Sequence, residues 1–267
     1  MPNPTSLKSF FGFTRHPFPP SCPPEPLFRS SALDSAIEQA KNALASRLSL
    51  LVTAPPGFGK SSFLRLLVAE LNPRDLKPVR LTGQGLGFME LIAKLSDELG
   101  IETSLFRGRT VKFLASGLRR LAASGPMPVV VIDEAQNVPV VAINQLRLLA
   151  EEQIPPLLAM VLVGDDTLRR TLAKPAHVAL AGRLAARIEL APLSLDETEA
   201  FVTHGFQGAG MQNLLAPSSV ATVHAASGGS PRGIGSILSR AMNRAWEKKS
   251  RLLTDEIVQE VIDERVA

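Results

Sequence analysis

Two glycines one residue apart, followed directly by lysine and serine, constrain this chain more than any other feature. They lie in residues 51–62, LVTAPPGFGKSS. An aliphatic and β-branched run from Leu48 to Thr53 precedes them, and a helical pattern (Phe63, Leu64, Leu67, Leu71) follows. A strand, a glycine-rich turn and a helix in that order make a P-loop, which binds nucleotide phosphates. The spacing is that of Walker A, with Ala54 standing where the first glycine usually sits. Gly57 and Gly59 let the backbone turn its N–H groups towards phosphate oxygens. The helix starting near Lys60 points its positive end at the same anion. Lys60 adds a full charge for the β- and γ-phosphates, and Ser61 offers a hydroxyl to Mg²⁺. Pro55, Pro56, Gly57, Phe58, Gly59, Lys60, Ser61 and Ser62 are therefore the expected nucleotide-binding positions, with ATP and Mg²⁺ as cofactors.

Residues 129–134, VVVIDE, are an apolar run ending in two acids. Such a run suits a strand buried on both faces of a parallel sheet, and its C-terminal edge is where α/β sheets bind ligands. Asp133 is expected to hold Mg²⁺, as a Walker B aspartate does. Glu134, one residue on, is expected to orient and polarise an attacking water. Two acids together favour hydrolysis over simple nucleotide binding.

Among the remaining composition, several features exclude function classes. The chain has 267 residues, enough for a nucleotide-binding domain and a smaller one. Tyr is absent and Trp occurs once, which argues against stacking platforms for single strands. The single Cys22 excludes an internal disulfide or a cysteine-cluster metal site. His16, His177, His204 and His224 show no ligand spacing. The longest apolar stretch, Leu157 to Val163, is strand-sized, and the N-terminus, with Pro2 and Pro4, lacks a signal-peptide core. A cytoplasmic protein without a membrane partner is expected. A net charge of +4 permits a nucleic-acid partner without demanding one.

Residues 1–30 read as a Pro-rich N-terminal linker, although Phe10, Phe11, Phe13 and Phe18 suggest that it is pinned to the domain. Residues 31–191 read as the nucleotide-binding domain. Helices are expected at 31–46, 88–99 (stopping at Gly100), 111–123 and 142–152, and strands at 79–82, 158–163 and 186–190. With the strands already placed, five alternate with helices, so the fold class is α/β with a five-stranded parallel sheet. Residues 192–267 read as a C-terminal helical lid, with helices at 195–206, 218–226, 232–246 and 255–265.

Three more features follow in order. Residues 162–166, LVGDD, close the fourth strand. Arg183 and Arg187 are expected on one helix face before the fifth. Residues 227–232, SGGSPR, start a lid helix with Arg232. Taken with residues 11–18, FGFTRHPF, and 133–136, DEAQ, this set resembles the ExeA-type (general secretion pathway protein A-like) AAA+ ATPases from Phe10 to about Val261. The resemblance implies ATP hydrolysis between subunits of a homo-oligomer. In it, Arg183 or Arg187 reaches a neighbouring subunit's nucleotide and Arg232 folds back on the phosphates. Secretion members continue into a membrane helix that this chain does not show. It thus looks more like the soluble branch, which resembles the TniB and TnsC transposition regulators. That branch implies double-stranded DNA and a DDE transposase as partners. The alternatives are an ATPase of a secretion or envelope assembly, and a nucleotide-gated binding module with little hydrolysis. One departure is that Asp165 and Asp166 follow Leu-Val-Gly where the family often has Gln. A carboxylate beside the γ-phosphate is repulsive unless it turns away or contacts the metal. Two basic clusters could meet DNA phosphates: Arg107, Arg109 and Lys112 before a helix, with Arg119 and Arg120 ending it, and Arg240, Arg244, Lys248, Lys249 and Arg251 in the lid.

Overall fold

The computed structural model describes residues 6–19 and 27–266. Cys22, Pro2 and Pro4 lie outside them. In chain order, the elements are α1 (Leu7–Phe11), α2 (Ser31–Ala45), β1 (Ser49–Thr53), α3 (Lys60–Glu70), β2 (Leu76–Thr82), α4 (Phe88–Leu99), α5 (Arg107–Ser124), β3 (Met127–Asp133), α6 (Val140–Ala150), β4 (Ala159–Gly164), α7 (Asp166–Leu172), α8 (Val178–Ala181), β5 (Leu184–Glu189), α9 (Leu195–Gly208), α10 (Ser219–Ser227), α11 (Pro231–Glu247) and α12 (Asp255–Val266). They fall into two compact units. One comprises residues 33–56 and 63–190. The other comprises the described residues up to Ala32, the loop Gly57–Ser62, and the chain from Ala191 onward.

The first unit is built on a five-stranded parallel sheet with strand order β2-β3-β4-β1-β5. β4 is buried at every residue and β3 at every residue but Asp133, as their unbroken apolar runs require. β2 carries Pro78 inside it, and this is tolerated because β2 is an edge strand. Thr53 lies opposite Gly164, Leu162 opposite Ile132, and Asp133 opposite Thr82. The carboxyl ends of β1, β4, β3 and β2 therefore share one edge. Leu91, Ile92 and Leu95 of α4, Leu114 and Leu118 of α5, and Ile143 and Leu146 of α6 form one buried cluster with sheet residues such as Val130, Ile132 and Leu162.

The second unit packs α9 to α12 around Phe206, Val223, Ile237, Leu238, Met242 and Val258. The described part of the expected linker belongs to this core. Phe13 and Phe18 are buried in it. The Phe18 ring meets the Phe206 ring edge-on, with centroids 5.2 Å apart. Its carbonyl accepts from Ser239 Oγ at 2.7 Å. Gly205 makes the room, because a Cβ there would lie 2.3 Å from the Phe18 ring.

Candidate nucleotide site

The phosphate loop leaves β1 through Ala54. This residue is buried, and its N–H donates to the Gly164 carbonyl at 3.2 Å, continuing the ladder to β4. Pro55 and Pro56 are exposed, and Phe58 is half-buried. Gly57 and Gly59 take φ of +91° and +87°, a region that side chains disfavour. Lys60 opens α3 and is 9% exposed; Ser61 is exposed and Ser62 half-buried. Two left-handed glycines running into a helix start that carries a lysine suit a polyphosphate.

The loop is held through the Gly57 carbonyl. It accepts from Ser230 Oγ at 3.2 Å and from the Arg232 N–H at 3.3 Å. Ser230 is also the N-cap of α11, accepting from Gly233 N at 3.2 Å. A Cβ on Gly57 would lie 2.9 Å from Ser230 Oγ and 3.0 Å from Arg232 Cβ. Arg232, at the second position of α11, thus stands beside the loop.

The acidic pair sits at the sheet's carboxyl edge. Asp133 ends β3. Glu134 follows at φ +53°, a left-handed conformation uncommon outside glycine and enriched at functional sites. Its N–H donates to Asp133 Oδ1 at 2.9 Å. Gly83 braces this turn. Its N–H donates to the Asp133 carbonyl at 2.7 Å, and a Cβ there would lie 2.4 Å from the Glu134 carbonyl oxygen. Gln136 Nε2 donates to Glu134 Oε2, and Gln136 Oε1 accepts from the Asp165 N–H at 3.4 Å. Sequence reasoning quoted Gln136 as part of a motif but gave it no role.

The two carboxylates after β4 turn to local partners. Asp165 caps α7, accepting from Thr167 N at 2.9 Å. Asp166 pairs with Arg169 and Arg170, and the hydrogen bond from Arg169 holds its carboxyl below the ordinary range. Both carboxylates thus have local partners on α7.

The arginines before the fifth strand need a correction. Arg183 and Arg187 do not share a helix face. α8 ends at Ala181, Arg183 lies at the turn after it, and Arg187 is inside β5. The chain extends there because β5 pairs with β1, placing Leu51 opposite Arg187. Arg183 is 65% exposed with Glu151 at 3.7 Å, and Arg187 donates to the Ala181 carbonyl at 3.1 Å.

The basic clusters also separate. In the lid, Arg240 pairs with Glu264, Arg244 with Glu247, Glu260 and Glu264, and Lys248 with Glu260. Arg251 sits over the Phe10 ring at 4.6 Å and donates to the Phe10 carbonyl. Arg107, Arg109 and Lys112 lie within the first turns of α5, not before it, and are exposed. Among the described residues these three form no ion pair. Arg107 and Arg109 instead lie over the Phe88 and Phe113 rings at 5.8 and 5.5 Å.

Residues 43–172 match a family model described as an AAA domain. Over 247 residues the chain is 32% identical to the general secretion pathway protein A of Aeromonas hydrophila, covering 90% of this chain and 45% of that protein. It therefore spans less than half the length of that relative. The chain is thus similar to an AAA domain and to general secretion pathway protein A. Among solved structures, Cdc6p from Pyrobaculum aerophilum superposes with a TM-score of 0.71 at 18% identity, covering 93% of this chain and 70% of that one. The Aeropyrum pernix ORC1 protein in complex with DNA gives 0.65 at 18%, covering 93% and 67%. The Thermotoga maritima RuvB Holliday junction branch migration motor gives 0.60 at 16%, covering 94% and 73%. At these identities the likeness is one of fold: the chain has the α/β P-loop AAA+ fold.

Proposed function

We propose that this chain is a Mg²⁺-dependent ATPase that assembles as a homo-oligomer on double-stranded DNA and regulates transposition and target selection with a DDE transposase in the cytoplasm. The observation that carries the ATPase reading is the phosphate loop, with its left-handed Gly57 and Gly59 leading into Lys60. Lys60 and the loop N–H groups would bind the β- and γ-phosphates, and Ser61 and Asp133 would hold Mg²⁺, whose charge would offset that of the phosphoryl group. Glu134 accepts a proton from the attacking water. Arg232 contributes charge within the subunit, and Arg183 or Arg187 reaches a neighbour's nucleotide. The DNA reading is supported by Arg107, Arg109 and Lys112, which form no ion pair among the described residues, while Arg240, Arg244 and Lys248 of the lid pair with Glu260 and Glu264 of α12. No helix among the described residues is long and apolar enough to cross a membrane.

Fluorescence anisotropy with labelled duplexes tests this, with and without ATP, over a salt series. The expected result is ATP-dependent, sequence-tolerant binding that falls steeply with salt. Replacing Arg107, Arg109 and Lys112 together by Ala should weaken binding on every duplex and flatten the slope. No binding at low salt with MgATP counts against the DNA role. The 32% identity to general secretion pathway protein A favours a second reading, an ATPase of a secretion or envelope assembly. Stimulation of hydrolysis by DNA separates the two.

A further inference from the structure

The amide of Gln136 touches two things at once. Its Nε2 donates to Glu134 Oε2, and its Oε1 accepts from the Asp165 N–H at 3.4 Å. Gln136 sits in a single 3₁₀ turn, Ala135–Asn137, anchored by the fully buried Ala135. Gly164, the last residue of β4, leaves room for the amide: a Cβ there would lie 2.7 Å from Gln136 Oε1. The Glu134 backbone is fixed by its left-handed conformation and by Gly83 packed on its carbonyl. That leaves the Glu134 side-chain torsions, and among the described residues the Gln136 amide is the group bonded to its carboxylate. The Asp165 carboxylate is spent on capping α7. At the end of β4 it is thus the main-chain N–H of Asp165, not its side chain, that meets the acidic turn.

We propose that Gln136 is a positioning residue for ATP hydrolysis, aiming the Glu134 carboxylate and tying it to the carboxyl end of β4. The inference rests on the reading of Glu134 as the base. A displacement at the end of β4 would move the Gln136 amide and the Glu134 carboxylate with it, so β4 reports on the site through Gln136. Gln136 itself touches neither nucleotide nor water in this scheme.

Phosphate release is measured for the wild type and for Gln136→Met, which keeps the length of the side chain and removes its donor. A general base contributes about 10²–10⁴-fold, so misaiming it should lower kcat by about 10-fold or more, with KM, ATP affinity and melting temperature close to wild type. In a Glu134→Gln background, Gln136→Met should add no further loss, because the base it positions is already gone. Should Gln136→Met fail to fold, Gln136→Leu removes the donor without adding a charge and is expected to show the same loss. Wild-type kcat in these variants overturns the proposal. So does a rise in KM alone, or a loss that adds in full to that of Glu134→Gln. A wild type that releases no phosphate overturns the ATPase reading itself, and the inference falls with it.

Discussion

The main-chain N–H of Arg232 donates to the carbonyl oxygen of Gly57 at 3.3 Å, so the first turn of α11 is bonded to the phosphate loop. The Arg232 side chain and the loop conformation can therefore be separated by mutation. Gly57→Ala places a Cβ at φ +91° and within 2.9 Å of Ser230 Oγ, so nucleotide binding should fall sharply. Arg232→Ala keeps the backbone bond and removes only the charge. It should bind ADP nearly normally and hydrolyse ATP more slowly. Titration with a fluorescent nucleotide, paired with phosphate release, reads both. Equal loss of ADP binding in the two variants would show that the side chain and the backbone bond do not act separately.

Asp133 and Glu134 are adjacent but are expected to fail differently. Glu134→Gln keeps shape and hydrogen bonding while losing the base. It should bind ATP, hydrolyse it poorly, and hold the ATP-bound oligomer longer. Asp133→Asn should instead weaken Mg²⁺-dependent binding. Nucleotide affinity measured with and without Mg²⁺ distinguishes them, and identical behaviour counts against separate roles.

A guanidinium supplied by a neighbouring subunit is worth about 10³–10⁵ in rate in known systems. Arg183, exposed and with its side chain near Glu151 at 3.7 Å, is better placed to leave its own subunit than Arg187, which is bonded to the Ala181 carbonyl. Mixing inactive Arg183→Ala with inactive Lys60→Ala should restore some ATPase activity, since each repairs a different side of a shared site. No recovery at any mixing ratio points to a role within one subunit.

The N-terminal phenylalanines predict a stability effect. Phe18 is 2% exposed, and its ring fills the space that Gly205 leaves open. Phe18→Ala should cost about 3–5 kcal/mol of stability. Chemical denaturation of the full chain measures it, and an unchanged midpoint would mean that the segment contributes nothing to the core.

Local signals made the sheet and the two nucleotide motifs legible. The apolar runs of β3 and β4, the glycine pair and the Asp-Glu pair each lie within a few consecutive residues. What was missed depends on distant partners. Phe18 is expected to pin its segment, but the residue that makes room for its ring, Gly205, lies far along the chain. A strand is expected at 186–190, but Arg187 is also expected to share a helix face with Arg183; pairing with β1 makes the strand Leu184–Glu189 and takes Arg187 off any helix. The lid cations looked available until α12 brought Glu260 and Glu264 against them. Gln136 gains its role from Asp165, on the neighbouring strand's end.

The most direct test is steady-state phosphate release from MgATP by the full chain, alone and with saturating duplex DNA, alongside Lys60→Ala. The account predicts hydrolysis by the wild type that duplex DNA stimulates, and its loss in Lys60→Ala under both conditions. Absence of phosphate release with and without DNA, or a Lys60→Ala protein as active as the wild type, would contradict it.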